Sequence, residues 1–173
     1  HAATASVGTS TGCGVPPPPA PPAAIRVGGR DRAAIVAVPA TYRPDRPLPL
    51  VVAFHGRTSP AERVRRYYGL EDQGLEAIFV YPSALPAADG RFSWQDPGDR
   101  PGALRDFALF DGIVETLGRS YCIDPGRVFV VGHSLGASFA NSLGCARGDA
   151  IRASRRSPGG SPPRGAGAAR PSC

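Results

Sequence analysis

The residues with the clearest chemical potential are Gly132-His133-Ser134-Leu135-Gly136, a G-x-S-x-G pattern. Before them runs Val128-Phe129-Val130-Val131, an apolar, β-branched stretch with the character of a buried parallel strand. After them runs Ala137-Ser138-Phe139-Ala140-Asn141-Ser142-Leu143, which reads as a helix. A strand, a sharp turn and a helix form the setting in which a serine hydroxyl becomes a nucleophile. The turn lifts the hydroxyl to a tip, and the helix N-terminus offers backbone N–H groups to developing negative charge. The chemistry would be nucleophilic attack by Ser134. A plainer reading is a glycine-rich turn with an incidental serine; the flanking pattern favours the nucleophile.

Such a turn needs a sheet beneath it, and the upstream sequence supplies one. Ala33 to Val38 reads as a strand, and Leu48 to Phe54 as a second, more apolar one that ends at His55-Gly56. Ser59 reads as an N-cap with Pro60 at the first helical position, opening a helix to about Tyr68. Ala77 to Tyr81 is a third strand, and Pro82 to Gly102 a long loop that carries the only tryptophan, Trp94. Leu104, Phe107, Phe110, Ile113, Val114 and Leu117 fall at helical spacing. Strands alternating with helices predict an α/β fold with a mostly parallel sheet and right-handed crossovers.

At 173 residues the chain has the length of one domain. Residues 1–22 are small, polar and proline-rich and read as a flexible arm, residues 23–151 as the folded domain, and 152–173 as a disordered tail. No basic stretch followed by an apolar one opens the sequence, so a secreted protein of this kind is expected to have lost its leader. No apolar stretch is long enough to span a membrane. The formal charge is +6, and every basic residue is arginine. Residues 1–150 hold 15 arginines against 14 acids, and the rest of the excess (Arg152, Arg155, Arg156, Arg164, Arg170) lies in the tail. A near-neutral body without a groove-reading motif or aromatic platform excludes nucleic acid as the expected partner. From Ala153 onward only Ala, Arg, Ser, Pro, Gly and Cys occur, so the tail is expected to form no strand or core helix. That composition is what GC-rich DNA gives when read out of frame, and a shifted frame is the expected origin of the tail.

Several stretches together resemble one family. They are Thr11-Gly12-Cys13-Gly14, Pro49 to Gly56, Val80-Tyr81-Pro82, Tyr121-Cys122-Ile123-Asp124-Pro125-Gly126-Arg127-Val128 leading into the elbow, and Cys145-Ala146. The chain resembles the secreted α/β-hydrolases known as polyhydroxybutyrate depolymerases and feruloyl esterases, over roughly residues 11–151. The resemblance implies a partial α/β-hydrolase fold lacking its C-terminal strands. It also implies a serine carboxylic-ester hydrolase acting through an acyl-enzyme on Ser134. The oxyanion hole would use the Leu135 N–H and a second N–H just after His55-Gly56, at Arg57. The substrate would be a polyester or a feruloylated polysaccharide, the protein a secreted monomer, and no cofactor is implied.

The pattern then breaks. In this fold the triad runs Ser, Asp or Glu, then His. Downstream of Ser134 the one acid is Asp149, and there is no histidine; the chain's histidines are His1, His55 and His133. His133 is expected to point away from the serine's attack path. His55 is expected to shape the oxyanion loop, with a base role as the lesser alternative. An inactive, truncated remnant lacking the triad Asp and His is therefore the alternative to an esterase. Asp106 and Asp111 lie on the long helix, where a surface or loop-tying role is favoured over catalysis. Trp94 and Phe92 read as loop anchors, or else as the lining of an aromatic substrate pocket.

The cysteines are Cys13, Cys122, Cys145 and Cys173. The elbow strand climbs about 17 Å from Cys122 and the elbow helix returns about 16 Å to Cys145. Both should then lie at one end of the sheet, which predicts a Cys122–Cys145 disulfide, with two buried free thiols as the alternative. Cys13 has no evident partner, and no Cys or His spacing suggests a metal site.

Overall fold

In the computed structural model, which describes residues 8–95, 99 and 105–157 (of 153–157 the backbone only), the strand expected at Leu48–Phe54 has those same ends. Its neighbours are β1 (Ala24–Val27), β2 (Arg30–Ala37), β4 (Ile78–Pro82), β7 (Ile123–His133) and β8 (Ala153–Ser157), with Leu48–Phe54 as β3. These six strands form one sheet in the order β1-β2-β4-β3-β7-β8. The β4, β3, β7 and β8 strands run parallel, while β1 and β2 add antiparallel at one end. The helices are α1 (Ala61–Tyr68), α2 (Arg105–Ser120) and α3 (Leu135–Ala146).

Period-two alternation explains why the sheet is buried on both faces. Leu50, Val52 and Phe54 join Ile78, Val80, Val128 and Val130 in a core with Leu109, Phe110, Ile113 and Leu117 of α2 and Phe139 and Leu143 of α3. The alternate residues Ala53, Phe79 and Tyr81 pack with Ala61 and Tyr68 of α1 on the opposite face. The expected apolar stripe therefore faces the larger core from Phe107 to Leu117; Leu104 lies outside the described residues.

Several expectations are corrected. Pro60 is the N-cap of α1 and makes no side-chain cap bond; its carbonyl accepts from Arg63 and Val64, so the helix starts one residue later than Ser59-Pro60 implied. The loop expected over 82–102 contains a small antiparallel hairpin of β5 (Leu85–Pro86) and β6 (Phe92–Ser93). Its residues 96–98 and 100–102 lie outside the described ones. The chain after Ile151, expected to form no strand, forms β8, paired in register from Phe129↔Ala153 to His133↔Ser157. An edge strand is held by its backbone ladder and does not need apolar side chains. This pairing covers the side of β7 that the sequence left bare. Residues 158–173 lie outside the described ones.

The N-terminal arm, expected to be flexible, is fixed along residues 10–14. The Ser10 N–H donates to the Ile123 carbonyl at 3.0 Å, Ser10 Oγ donates to the Tyr121 carbonyl at 2.8 Å, and the Gly12 N–H donates to the Gly118 carbonyl at 2.8 Å. A Cβ on Gly12 would lie 2.5 Å from the Tyr121 carbonyl oxygen, so only glycine permits this approach. The crossing seats Cys13 beside Cys122, and the two form a disulfide with Cα atoms 4.0 Å apart. The expected Cys122–Cys145 bond is thus overturned, and Cys145 is itself not a free thiol. The strand-and-helix arithmetic placed Cys122 and Cys145 at one end of the sheet but left their sideways separation open. A disulfide needs Cα atoms within about 7 Å.

The Tyr121–Val128 stretch is architectural. Tyr121 packs edge-on to Tyr42, whose hydroxyl accepts from the Cys122 N–H. Asp124 accepts from the Gly126 N–H and from Arg127 Nε, closing a turn inside β7 where the register against β3 shifts. The Cys13–Cys122 bond spans 109 residues, so it removes much freedom from the unfolded chain. Replacing Cys13 by Ser is expected to cost about 3–5 kcal/mol in denaturant unfolding. Non-reducing peptide mapping should recover Cys13 and Cys122 in one linked pair; a Cys122–Cys145 pair would refute the assignment.

Candidate active site

The chain leaves β7 at His133 and enters α3 at Leu135, so the whole reversal falls on Ser134. Ser134 has φ 53° and ψ −121°, and among the described residues it is the one non-glycine with positive φ. Such a conformation costs about 1–3 kcal/mol and persists only where surroundings over-determine it. The surroundings here are two glycines. A Cβ on Gly132 would collide with the Gly136 carbonyl, and a Cβ on Gly136 with the carbonyls of Phe54 and His55. The first turn of α3 is thereby pressed against the end of β3. The Ser134 carbonyl accepts from Ala137 and Ser138, and the residue itself is exposed.

Parallel pairing of Phe54 with Gly132 brings His55-Gly56-Arg57 alongside the turn. A Cβ on Gly56 would stand 3.4 Å from Ser134 Cβ. His55 is fully buried, and both ring nitrogens are engaged. The Ala84 N–H donates to Nε2 at 3.0 Å, so the proton sits on Nδ1 and is donated to the Gly56 carbonyl at 2.7 Å. Burial pushes the imidazole below its ordinary pKa, opposed by the Gly56 carbonyl and Glu62. The Gly56 carbonyl and the Arg57 N–H are opposite ends of one trans peptide. With the carbonyl held by His55, the Arg57 N–H is aimed the other way.

The segment after β4 holds this loop from outside. The Trp94 indole N–H donates to the His55 carbonyl at 2.7 Å, and the Phe92 N–H donates to the Arg57 carbonyl at 2.9 Å. The Trp94 ring stacks on Phe139 of α3 at 5.2 Å and meets Phe54 edge-on, while Phe92 packs on the His55 ring at 4.7 Å. Trp94 ties this loop to α3, and Phe92 ties it to the His55-Gly56-Arg57 segment. The Arg57 guanidinium pairs with Asp89 at 2.5 Å.

The acids are occupied elsewhere. Asp106 is fully buried; its carboxylate accepts from Arg32 at 2.8 Å and from the Gln95 N–H at 2.6 Å, and pairs with Arg105. Asp111 forms a two-point pair with Arg147 at 2.9 Å, joining α2 to α3. Asp149 is exposed. The His133 ring lies 5.9 Å from that of Tyr67. Among the described residues no hydrogen bond joins either histidine to Ser134, and His1 lies outside them. Among the described residues no cluster of three or more His, Cys, Asp or Glu side chains could hold a metal ion. No described helix is long and apolar enough to cross a membrane.

Sequence reasoning missed Arg32 and Gln95. Arg32 carried a signal: it is in phase with Ala34 and Val36 on the inward face of β2. Gln95 carried none, although its side-chain oxygen accepts the Asp106 and Phe107 N–H groups at the start of α2.

No protein-family profile matches the chain. It is 28% identical over 166 residues to feruloyl esterase D of Neurospora crassa, covering 87% of this chain and 54% of that protein. It is 32% identical over 98 residues to poly(3-hydroxyalkanoate) depolymerase C of Paucimonas lemoignei, covering 51% of this chain and 22% of that protein. Among solved structures, acetyl xylan esterase from Aspergillus awamori superposes with TM-score 0.57 at 22% identity, over 71% of this chain and 45% of that one. The chain thus spans about half the length, or less, of the curated relatives it matches. The chain is thus similar to feruloyl esterases and poly(3-hydroxyalkanoate) depolymerases, and its mostly parallel sheet with flanking helices is a partial α/β-hydrolase fold.

Proposed function

We propose that the chain carries the nucleophile and oxyanion hole of a serine carboxylic-ester hydrolase. The observation that carries this reading is the strained, exposed Ser134, set between β7 and α3 beside Gly56. Ser134 Oγ attacks the ester carbonyl, the alcohol leaves, and water releases the acid from the acyl-enzyme. The tetrahedral alkoxide is received by the Leu135 N–H at the start of α3 and by the Arg57 N–H, aimed by the His55–Gly56 hydrogen bond. Esters of the hydroxyalkanoate or feruloyl type are the substrates favoured by the relatives' names. The Cys13–Cys122 disulfide supports work outside the cytosol.

One observation favours a second reading, an elbow without turnover. Both nitrogens of His55 are committed, and no described imidazole is hydrogen-bonded to the Ser134 hydroxyl. Without such a base, catalysis falls to what binding and the oxyanion hole provide, about 10³- to 10⁴-fold over water.

Hydrolysis of p-nitrophenyl butyrate separates the two. The esterase reading expects turnover that Ser134→Ala reduces to the buffer rate, and a phosphonate adduct on Ser134 by mass spectrometry. Hydrolysis unchanged in Ser134→Ala, whether at the buffer rate or at the residual level of a site without a base, would refute it and establish the second reading.

A pH experiment probes the loop. The folded state holds His55 neutral with a lowered pKa, so below the ordinary value the unfolded chain binds the extra proton first. Stability should therefore be level above pH about 6.5 and fall as pH drops below it. The Glu71 carboxylate, held down by Arg65, adds its own loss only below about 4.3. Thermal melts should show the slope between these values in the wild type and a flat line in His55→Gln. Equal slopes in both would remove His55 as its source.

A further inference from the structure

Among the described residues, Arg32 and Asp106 form the single ion pair with both partners buried; the other pairs have at least one partner well exposed. A buried pair is weak evidence for stability, because packed apolar residues of similar volume often do as well. Its value here lies in where its other hydrogen bonds go. Arg32 donates to the Ser83 carbonyl at 3.1 Å, and the next residue, Ala84, donates its N–H to His55 Nε2. Asp106 accepts the Gln95 N–H at 2.6 Å, and the preceding residue, Trp94, donates its indole N–H to the His55 carbonyl. Arg32 also donates to the Arg105 carbonyl, tying the start of α2 to the same point. Both bonds that residues 83–95 make to His55 therefore lie one residue from an anchor on this pair.

We propose that Arg32 and Asp106 are positioning residues for acyl transfer: the pair clamps both ends of residues 83–95 and, through Ala84 and Trp94, fixes the peptide plane that presents the Arg57 N–H. The catalytic part rests on the ester-hydrolase reading; the clamp itself does not. With the clamp released, His55 keeps its place in the sequence but loses the two outside bonds that orient its ring and carbonyl. The Gly56 carbonyl is then free to turn, and the Arg57 N–H turns with it. A donor preorganised for the alkoxide becomes one that must be ordered during the reaction, which lowers kcat and leaves ground-state binding in place.

Trp94, the only tryptophan, reports the clamp directly. It is 4% exposed and stacked on Phe139, so wild-type emission should be blue-shifted and poorly quenched by acrylamide. Two variants test the proposal: Asp106→Asn, and the double variant Arg32→Met/Asp106→Leu, which removes both charges together and so avoids stranding one of them. In the folded double variant, with wild-type far-UV circular dichroism, Trp94 emission should shift to the red and quenching should rise. If Ser134-dependent hydrolysis of p-nitrophenyl butyrate is present, kcat should fall about 10- to 100-fold with KM unchanged. Wild-type quenching in the double variant overturns the clamp, whether or not the chain hydrolyses esters. Altered quenching with unchanged kcat, or a loss confined to KM, overturns the positioning role. Absence of Ser134-dependent hydrolysis in the wild type defeats the ester reading and the catalytic part with it, and leaves the clamp to be decided by fluorescence.

Discussion

The structure turns on one steric contact: Gly136 laid against the carbonyls of Phe54 and His55. Because no Cβ intervenes, α3 starts directly on the end of β3, and only Ser134 remains between β7 and the helix. The reversal must then be absorbed by a single residue, and Ser134 takes a positive φ to do it. The same contact puts the helix N-terminus, the serine and the His55-Gly56-Arg57 strand end within one small volume. The proposed nucleophile and oxyanion donors would therefore be consequences of how closely two backbones approach.

The loop facing Ser134 shows how carbonyl capture can orient an N–H. The carbonyls of His55, Gly56 and Arg57 are held by Trp94, by the His55 ring and by the Phe92 N–H respectively. In planar trans peptides each captured carbonyl fixes the opposite-facing N–H of the following residue. Four of the groups involved are aromatic rings or their neighbours: Phe54, Trp94, Phe92 and Phe139 exclude water around the hydrogen bonds, which strengthens them. Asp106 serves the same purpose one step further out, which explains why a carboxylate on a core-facing helix position is fully buried yet has no exposed function.

What the sequence made legible follows from range. The elbow, the strand at Leu48–Phe54 and the stripe of α2 depend on local periodicity and local sterics, and the structure agrees with each within a few residues. The disulfide did not, because sideways distance within a sheet depends on strand order, and strand order is set by contacts far apart in sequence. Cys13 reaches Cys122 through an arm whose Ser10 and Gly12 N–H groups and Ser10 hydroxyl bond to residues more than a hundred positions away. The tail strand failed for a different reason: composition reports the capacity to bury side chains, while β8 is held by backbone groups that every residue carries. Arg32 stood in the inward phase of β2 and could be read as buried, but its partner could not, since Asp106 lies 74 residues on.

These differences bear on how the site should respond to change. The elbow is over-determined by backbone sterics, so side-chain substitutions nearby leave the Ser134 conformation in place unless they fall on Gly132 or Gly136. The oxyanion loop is determined by hydrogen bonds, each worth about 1 kcal/mol net, and is correspondingly easier to detune. Under the ester-hydrolase proposal, catalysis would depend less on the geometry of Ser134 than on what holds Arg57 and on what removes the Ser134 proton. The first is provided within the described residues by His55, Trp94 and their anchors. The second is a group that no hydrogen bond among the described residues brings to Ser134, so proton removal, and not positioning, is the step on which the proposed turnover would depend.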